Sequence, residues 1–265
     1  MNLLHIDSSA LGQNSVTREL SAAIVSQWTS TLDGVQVEYR DLDREPLPHL
    51  TGGSLAKADP AEAADAERTL QQFLDADVVV IGAPMYNFAI PSTLKAWIDR
   101  VAVAGRTFRY TEAGPEGLAG GKKVVIASGR GGLHSGAPSD FQEPYLRQVF
   151  AFLGIEDVEF VRAEGVAYSP QHRSDAIAAA KAAIPALVAP LRKAACAPRP
   201  TPAESGSRAA GVQRGCPAGL DGRRRPRRSG RARRLAKRTA QAMRSAPAMY
   251  GRRTSGTVIE PSAFW

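Results

Sequence analysis

A run of six residues, Asp77-Val78-Val79-Val80-Ile81-Gly82, limits most strongly how this chain can fold. Its four central residues are all apolar, so both faces of a strand formed here would be hydrophobic. A strand that is buried on both faces is typical of the centre of a parallel sheet with helices on each side. The run therefore predicts an α/β fold built around this strand.

Other apolar patterns alternate with this strand along residues 1–191. Short apolar runs predict strands, and apolar residues at a spacing of three to four predict amphipathic helices. Five strands in fewer than 200 residues, with helices between them, fit a doubly wound parallel sheet of the flavodoxin-like order 2-1-3-4-5. Residues 41–60 are rich in turn residues and are predicted to form a surface excursion. The predicted strands are residues 3–6, 35–39, 77–82, 122–127 and 158–161, and the predicted helices are residues 15–29, 61–74, 91–101, 142–153 and 174–191.

The net charge of +8 hides two parts of opposite sign. Residues 1–190 carry 16 Lys and Arg against 23 Asp and Glu, whereas residues 191–265 carry 18 against three. The basic part is rich in Arg, Pro, Ala and Gly and lacks apolar periodicity, so it is predicted to be disordered. We predict a globular domain over residues 1–192 and a basic tail over residues 193–265. The tail could be a frameshift product, functionless disorder, or a segment that binds nucleic acid or an anionic surface.

The positions of the cysteines exclude thiol and disulfide chemistry from the domain. Both cysteines, Cys196 and Cys216, lie in the basic tail, so the domain can use neither a thiol pair nor a disulfide. They lack metal-ligand spacing, and we expect no metal site. No apolar run has the length of a membrane span, and the first residues do not form a signal peptide, so a cytoplasmic protein is expected.

Three loops follow the carboxyl ends of predicted strands, where ligands bind in open α/β sheets. Loop 1, residues 9–17, is rich in hydroxyl groups and lacks lysine, and it has neither the glycine pattern of a dinucleotide loop nor that of a P-loop. Because it leads into a helix N-terminus, it could hold a phosphate monoester. Alternatively, Ser15 only caps the helix.

The other two loops have the residue types that hold a planar ring. Loop 2, residues 84–91, is stiffened by two prolines and offers the aromatic faces of Tyr86 and Phe88 and the amide of Asn87. Loop 3, residues 128–134, contains three glycines that let its backbone approach a ligand closely. The alternatives are a core-filling loop and a flexible turn.

Taken together, these pieces resemble the FMN-dependent NADH-azoreductases, also described as FMN-dependent NADH:quinone oxidoreductases. The resemblance covers about residues 1–190 and is carried by residues 5–9 with 14–18, 84–88 with 91–95, and 130–132, with further matches in 108–118 and 152–155. It implies a homodimer with one FMN per subunit and ping-pong transfer of a hydride from NADH to quinones and aromatic azo compounds.

The resemblance also assigns FMN contacts and marks two departures. Thr17 stands where the family commonly has Ser, and Gly129 stands where Ser or Thr is usual, with Ser128 as a candidate replacement. No side-chain acid or base is expected to be essential, and His134 is either a proton donor or an exposed loop histidine. The implied FMN-binding residues are Ser9, Ser15, Val16, Thr17, Met85, Tyr86, Asn87, Phe88, Gly129, Arg130, Gly131 and Gly132.

A flavodoxin-like electron carrier without a small-molecule substrate of its own is the alternative function. The excursion at residues 41–60 and the loop at residues 108–118 favour the enzyme, because they are expected to cover a substrate pocket that a carrier does not need.

Overall fold

The structure is a computed structural model that describes residues 1–188. The predicted basic tail, residues 193–265, lies outside the described residues, as do both cysteines. Within residues 1–188, no helix combines the length and the apolar character that a membrane crossing requires. The same residues contain no cluster of three or more His, Cys, Asp or Glu side chains that could hold a metal ion.

Within the described residues, seven strands form two sheets. The five-stranded parallel sheet has the order β2-β1-β3-β6-β7. This confirms the predicted order 2-1-3-4-5, since β6 and β7 are the fourth and fifth strands of that sheet. All seven residues of β3 are buried, as the opening apolar run predicted. The strands are β1 (Asn2–Asp7), β2 (Gln36–Asp41), β3 (Val78–Pro84), β4 (Phe108–Thr111), β5 (Gly114–Gly117), β6 (Lys123–Gly129) and β7 (Asp157–Ala163).

Helices cover both faces of the large sheet and produce two cores. On one face, Trp28 and Ile184 from the first and last helices pack with Val80. On the other face, Phe73 and Trp97 pack with Ile81, the next residue of the same strand. Alternate residues of β3 therefore supply both cores. The helices are α1 (Val16–Thr31), α2 (Gly52–Leu55), α3 (Pro60–Asp75), α4 (Ser92–Val101), α5 (Gln142–Phe152) and α6 (Pro170–Leu187).

Two predicted irregular segments contain regular structure. Residues 108–118, predicted as a loop, form the antiparallel hairpin of β4 and β5. Its strands are only four residues long and largely exposed, so they lack the apolar alternation that would have revealed them. The excursion at residues 41–60 contains the short helix α2, which Thr51 caps through its hydroxyl.

The hairpin docks on the end of α5 through a close backbone approach. Gly117 lies against the backbone of Leu153 and Gly154, and a Cβ atom at this position would overlap both. The ring of Phe108 packs on Phe152, with centroids 4.5 Å apart. A glycine at the contact is therefore required by packing.

We expect Gly117→Ala to destabilise the protein by about 1–3 kcal/mol, because the overlapping atoms belong to the backbone and cannot rotate away. Gly52→Ala is the control, since no atom lies within 4 Å of the added Cβ and the backbone there is helical. Urea denaturation measures both variants. Equal stability of the two variants would contradict this account of the contact.

Candidate functional site

The sheet register brings the three predicted loops to one edge. Asp7, the last residue of β1, pairs with Gly82 of β3, and Gly82 pairs with Ala127 of β6. Because the three strands are parallel and adjacent, the loops that follow them leave the sheet side by side.

Two hydrogen bonds and one close approach join the three loops. The hydroxyl groups of Ser9 in loop 1 and Tyr86 in loop 2 are 3.2 Å apart and share a hydrogen bond. The N–H of Met85 in loop 2 donates to the carbonyl of Gly129 in loop 3 over 2.9 Å. A Cβ added to Gly129 would lie 3.0 Å from the Thr17 methyl group in loop 1. The three loops therefore form one continuous surface at this edge of the sheet, which we call the cleft.

Loop 1 offers donors for an anion. Ser15 caps α1 by accepting from the N–H of Arg18, and its hydroxyl also bonds to that of Thr17. Among the described residues, the N–H groups of Val16 and Thr17 have no acceptor, as expected in the first turn of a helix. Capping by Ser15 is therefore compatible with phosphate binding, because two N–H groups remain available.

An arginine that the sequence analysis assigned no role holds loop 1 in place. The guanidinium of Arg18 binds both carboxylate oxygens of Asp41 at 2.7 Å and donates to the Ser9 carbonyl over 2.9 Å. Desolvation alone would raise the pKa of Asp41, but hydrogen bonds from Arg18 and from the Asp43 N–H outweigh it, so this pKa is lowered. Burial and the nearby Asp7 carboxylate raise the pKa of Tyr39 to about 12. The ion pair of Arg18 and Asp41 therefore stays charged at neutral pH and fixes loop 1 to the end of β2.

Loop 2 carries the strained backbone of the site. Tyr86 and Ala89 exchange both backbone hydrogen bonds, so Asn87 and Phe88 form a two-residue hairpin turn. Both turn residues have positive φ, 49° for Asn87 and 68° for Phe88. This combination matches a type I′ turn, which Asn accepts and a bulky aromatic residue does not favour. Phe88 as a whole remains 53% exposed.

Loop 3 is held from one side by the loop that follows β7. The carbonyl groups of Arg130, Gly131 and Gly132 accept from residues 165–167. The N–H groups of Gly131 and Gly132 have no acceptor among the described residues. The ring of His134 lies edge-on to Phe88 with centroids 5.9 Å apart, and its Nδ1 bonds to Ser139.

Two side chains of loop 3 point away from the cleft. Ser128 is fully buried, donates to Gln142 and accepts from Arg130, so it cannot replace a hydroxyl at Gly129 as the sequence analysis considered. The Arg130 guanidinium is also buried, beside Asp140 and Glu164. Only the backbone of Arg130 is available to a ligand. Asp140 and Glu164 were missed, although Glu164 directly follows β7 at the carboxyl edge of the sheet.

Comparison with known proteins agrees with this geometry. A family model described as "Flavodoxin-like fold" matches residues 1–188. An FMN-dependent NADH:quinone oxidoreductase of Stenotrophomonas maltophilia is 71% identical over 185 residues, covering 70% of this chain and 95% of that protein. The chain belongs to the FMN-dependent NADH:quinone oxidoreductase family, which has this flavodoxin-like fold. Another member, from Rhizobium meliloti, is 54% identical over 196 residues, covering 69% of this chain and 95% of its own length.

Solved structures of the family have the same fold. An FMN-dependent NADH-azoreductase of Bacillus anthracis strain Ames Ancestor, solved in complex with FMN, matches with a TM-score of 0.64 and 25% identity, covering 71% of this chain and all of that one. An azoreductase of Bacillus anthracis strain Sterne matches with a TM-score of 0.64 and 29% identity, covering 71% of this chain and 98% of that chain. The predicted family resemblance is confirmed.

The cleft has the features that FMN requires. The N–H groups of Val16 and Thr17, with nearby hydroxyls, suit the phosphate, because a helix N-terminus attracts negative charge. The exposed ring of Phe88 suits a flat heteroaromatic ring, and the free N–H groups of loop 3 suit its carbonyl oxygens. The residues present therefore fit FMN.

Phe88→Gly is expected to stabilise the protein while weakening FMN binding. The change produces the Asn-Gly pair that type I′ turns prefer, and relief of strain should exceed the entropic cost of glycine by about 1 kcal/mol. Loss of the ring face should reduce FMN affinity about tenfold. Urea denaturation without FMN and fluorescence titration with FMN measure the two effects.

Tyr110→Gly is the control for this substitution, since Tyr110 is an exposed aromatic residue in a strand and is not among the residues with positive φ. This variant should lose stability and bind FMN normally. If Phe88→Gly also lost stability, the positive φ of Phe88 would not be a source of strain.

Proposed function

We propose that the chain is an FMN-dependent oxidoreductase that passes a hydride from NADH through flavin N5 to quinones and aromatic azo compounds, with ping-pong turnover. The observation that carries this proposal is the continuous wall of three linked loops, with free N–H groups at both ends and an exposed aromatic ring between them. The names of the relatives support the choice of donor and acceptor.

In this proposal, the chain's own residues bind FMN and orient it. The hydroxyls of Ser9 and Ser15 and the N–H groups at the start of α1 hold the phosphate. The N–H groups of Gly131 and Gly132 hold the ring and stabilise the negative charge that it gains on reduction. Remaining contacts come from Met85, Tyr86, Asn87, Phe88, Gly129 and the Arg130 backbone.

No side-chain acid or base is needed in this scheme, since the cofactor carries the chemistry. His134, whose ring lies beside Phe88, is the side chain that the sequence offers as a proton donor. Its Nδ1 is engaged with Ser139, and its backbone N–H donates to Glu164. These contacts suit an ordered loop residue, and the proposal assigns His134 no catalytic role.

The proposal includes a homodimer that works in the cytoplasm, where NADH is available. Four large apolar or aromatic side chains near the cleft are exposed in the single chain: Phe88, Leu133, Phe141 and Tyr168. Exposed apolar groups that lie near one another commonly mark an interface. A second copy that covers them would also shield the cleft from water.

The proposed function is assigned to residues 1–192 alone. The family model ends at residue 188, and the Stenotrophomonas relative matches 95% of its own length within 70% of this chain. These bounds support the proposal that residues 193–265 are not needed for the activity and are a non-native or functionless extension.

An electron carrier without its own substrate remains the other function that the fold could serve. The hairpin of β4 and β5 docks firmly against α5, and the excursion at residues 41–60 is tied to α4 by a hydrogen bond from Arg100 to the Pro48 carbonyl. These ordered additions to the sheet favour the enzyme.

The absorbance spectrum of the purified protein with added FMN, followed by anaerobic NADH, tests this function. We expect flavin bands that persist after desalting and bleach on addition of NADH. Flavin retained without bleaching would favour the electron carrier. Absence of flavin uptake, both by the full chain and by a chain ending at residue 192, would contradict the proposed function.

A further inference from the structure

Arg130 carries a buried charge that the proposed function does not use. Its side chain is 0% exposed, although the residue belongs to a glycine-rich loop at the edge of the sheet. Burial of a guanidinium is costly unless carboxylates surround it. Three carboxylates do so here, with Arg130 nitrogens 2.8 Å from Asp140, 3.3 Å from Glu164 and 3.7 Å from Glu143.

Two of these carboxylates bind backbone groups as well. Oε1 of Glu164 accepts from the N–H groups of His134 over 2.7 Å and Ser135 over 2.9 Å. Asp140 accepts from the N–H of Glu143 in the first turn of α5. One guanidinium therefore ties together loop 3, the start of α5 and the segment after β7.

The hydrogen bonds of the loop 3 backbone determine which of its N–H groups face the cleft. The carbonyls of Arg130 and Gly131 accept from the N–H groups of Val166 and Ala167, on the side of β7. In a trans peptide the carbonyl oxygen and the following N–H point in opposite directions, and the described chain has no cis peptide. The N–H groups of Gly131 and Gly132 thus point away from β7, toward loops 1 and 2.

We propose that Arg130 is a positioning residue for the flavin. Its buried ion pairs with Glu164 and Asp140 hold loop 3 against the segment after β7, so that the Gly131 and Gly132 N–H groups stay directed at the ring of FMN. This inference rests on the proposed function, because FMN is the group that receives those N–H groups. Glycine alone would leave loop 3 free to turn its N–H groups elsewhere.

Charge-conserving substitutions test this role. Arg130→Lys keeps the positive charge and loses the planar fork that reaches several partners at once. We expect the dissociation constant for oxidised FMN to rise at least tenfold. We also expect the preference for reduced over oxidised FMN to fall at least threefold, because the N–H groups that favour the reduced, negatively charged ring lose their direction. A tenfold change in that preference corresponds to about 30 mV for a two-electron couple.

Arg162→Lys is the matched control. Arg162 binds Glu143 with a similar fork in the same ion-pair cluster, and its side chain donates its hydrogen bonds to Glu143 and to the Phe160 carbonyl rather than to loop 3. This variant should keep FMN affinity and the preference for reduced FMN within twofold of the wild type. A role limited to overall stability would lower the thermal midpoint of both variants and leave the preference unchanged.

Glu164→Asp provides a second measurement if Arg130→Lys fails to fold. It keeps the charge but has a shorter side chain, which reaches the His134 and Ser135 N–H groups less well. The affinity for FMN and the preference for reduced over oxidised FMN should therefore shift in the same direction as for Arg130→Lys. Glu62→Asp is its control, because Glu62 pairs with another buried arginine, Arg100, and has no hydrogen bond to loop 3.

The wild-type protein separates failure of this inference from failure of the proposed function. If the wild type binds FMN and neither Arg130→Lys nor Glu164→Asp changes affinity or preference, the positioning role is wrong and the function stands. Absence of FMN binding both by the wild-type full chain and by a wild-type chain ending at residue 192 overturns both. Equal losses in Arg130→Lys and Arg162→Lys would also overturn the positioning role.

Discussion

The parallel pairing of β1, β3 and β6 is the constraint on which the rest of the structure depends. Both β1 and β6 run parallel to the buried strand β3 and pair with it, so the carboxyl ends of the three strands meet at one edge. Loops 1, 2 and 3 are adjacent for that reason alone. The contacts between Ser9 and Tyr86, and between Met85 and Gly129, join loops that the sheet has already brought side by side.

The loops at this edge contain features that favour ligand binding but lower the stability of the protein without ligand. The central strand β3 contains only apolar residues, whereas the loops contain two non-glycine residues with positive φ, N–H groups without an acceptor among the described residues, and a buried guanidinium. Each of these features costs free energy in the protein without ligand. Ion pairs at both ends of the cleft, from Arg18 to Asp41 and from Arg130 to Asp140, offset part of that cost and keep the loops fixed. The cleft is therefore organised in advance of binding.

Prediction from the sequence succeeded where a periodic pattern exists and failed where only three-dimensional contacts define a feature. The five strands of the sheet, their order and the three loops follow from apolar runs and from the residues that end them. The β4–β5 hairpin was missed because its exposed strands have no apolar alternation. The role of Glu164 was missed because its partners, His134 and Arg130, are 30 and 34 residues away in the sequence. Ser128 lies one residue from Gly129, but alternation along β6 turns its side chain to the opposite side of the strand.

Amide hydrogen–deuterium exchange of the full chain, measured with and without FMN, tests the central claim most directly, because that claim concerns backbone N–H groups at three separate places in the sequence. The account predicts that FMN slows exchange in peptides containing residues 15–17, 86–88 and 131–132 together, with little change along β2 and the β4–β5 hairpin. Protection confined to one of the three loops, or centred elsewhere while FMN is bound, would contradict it.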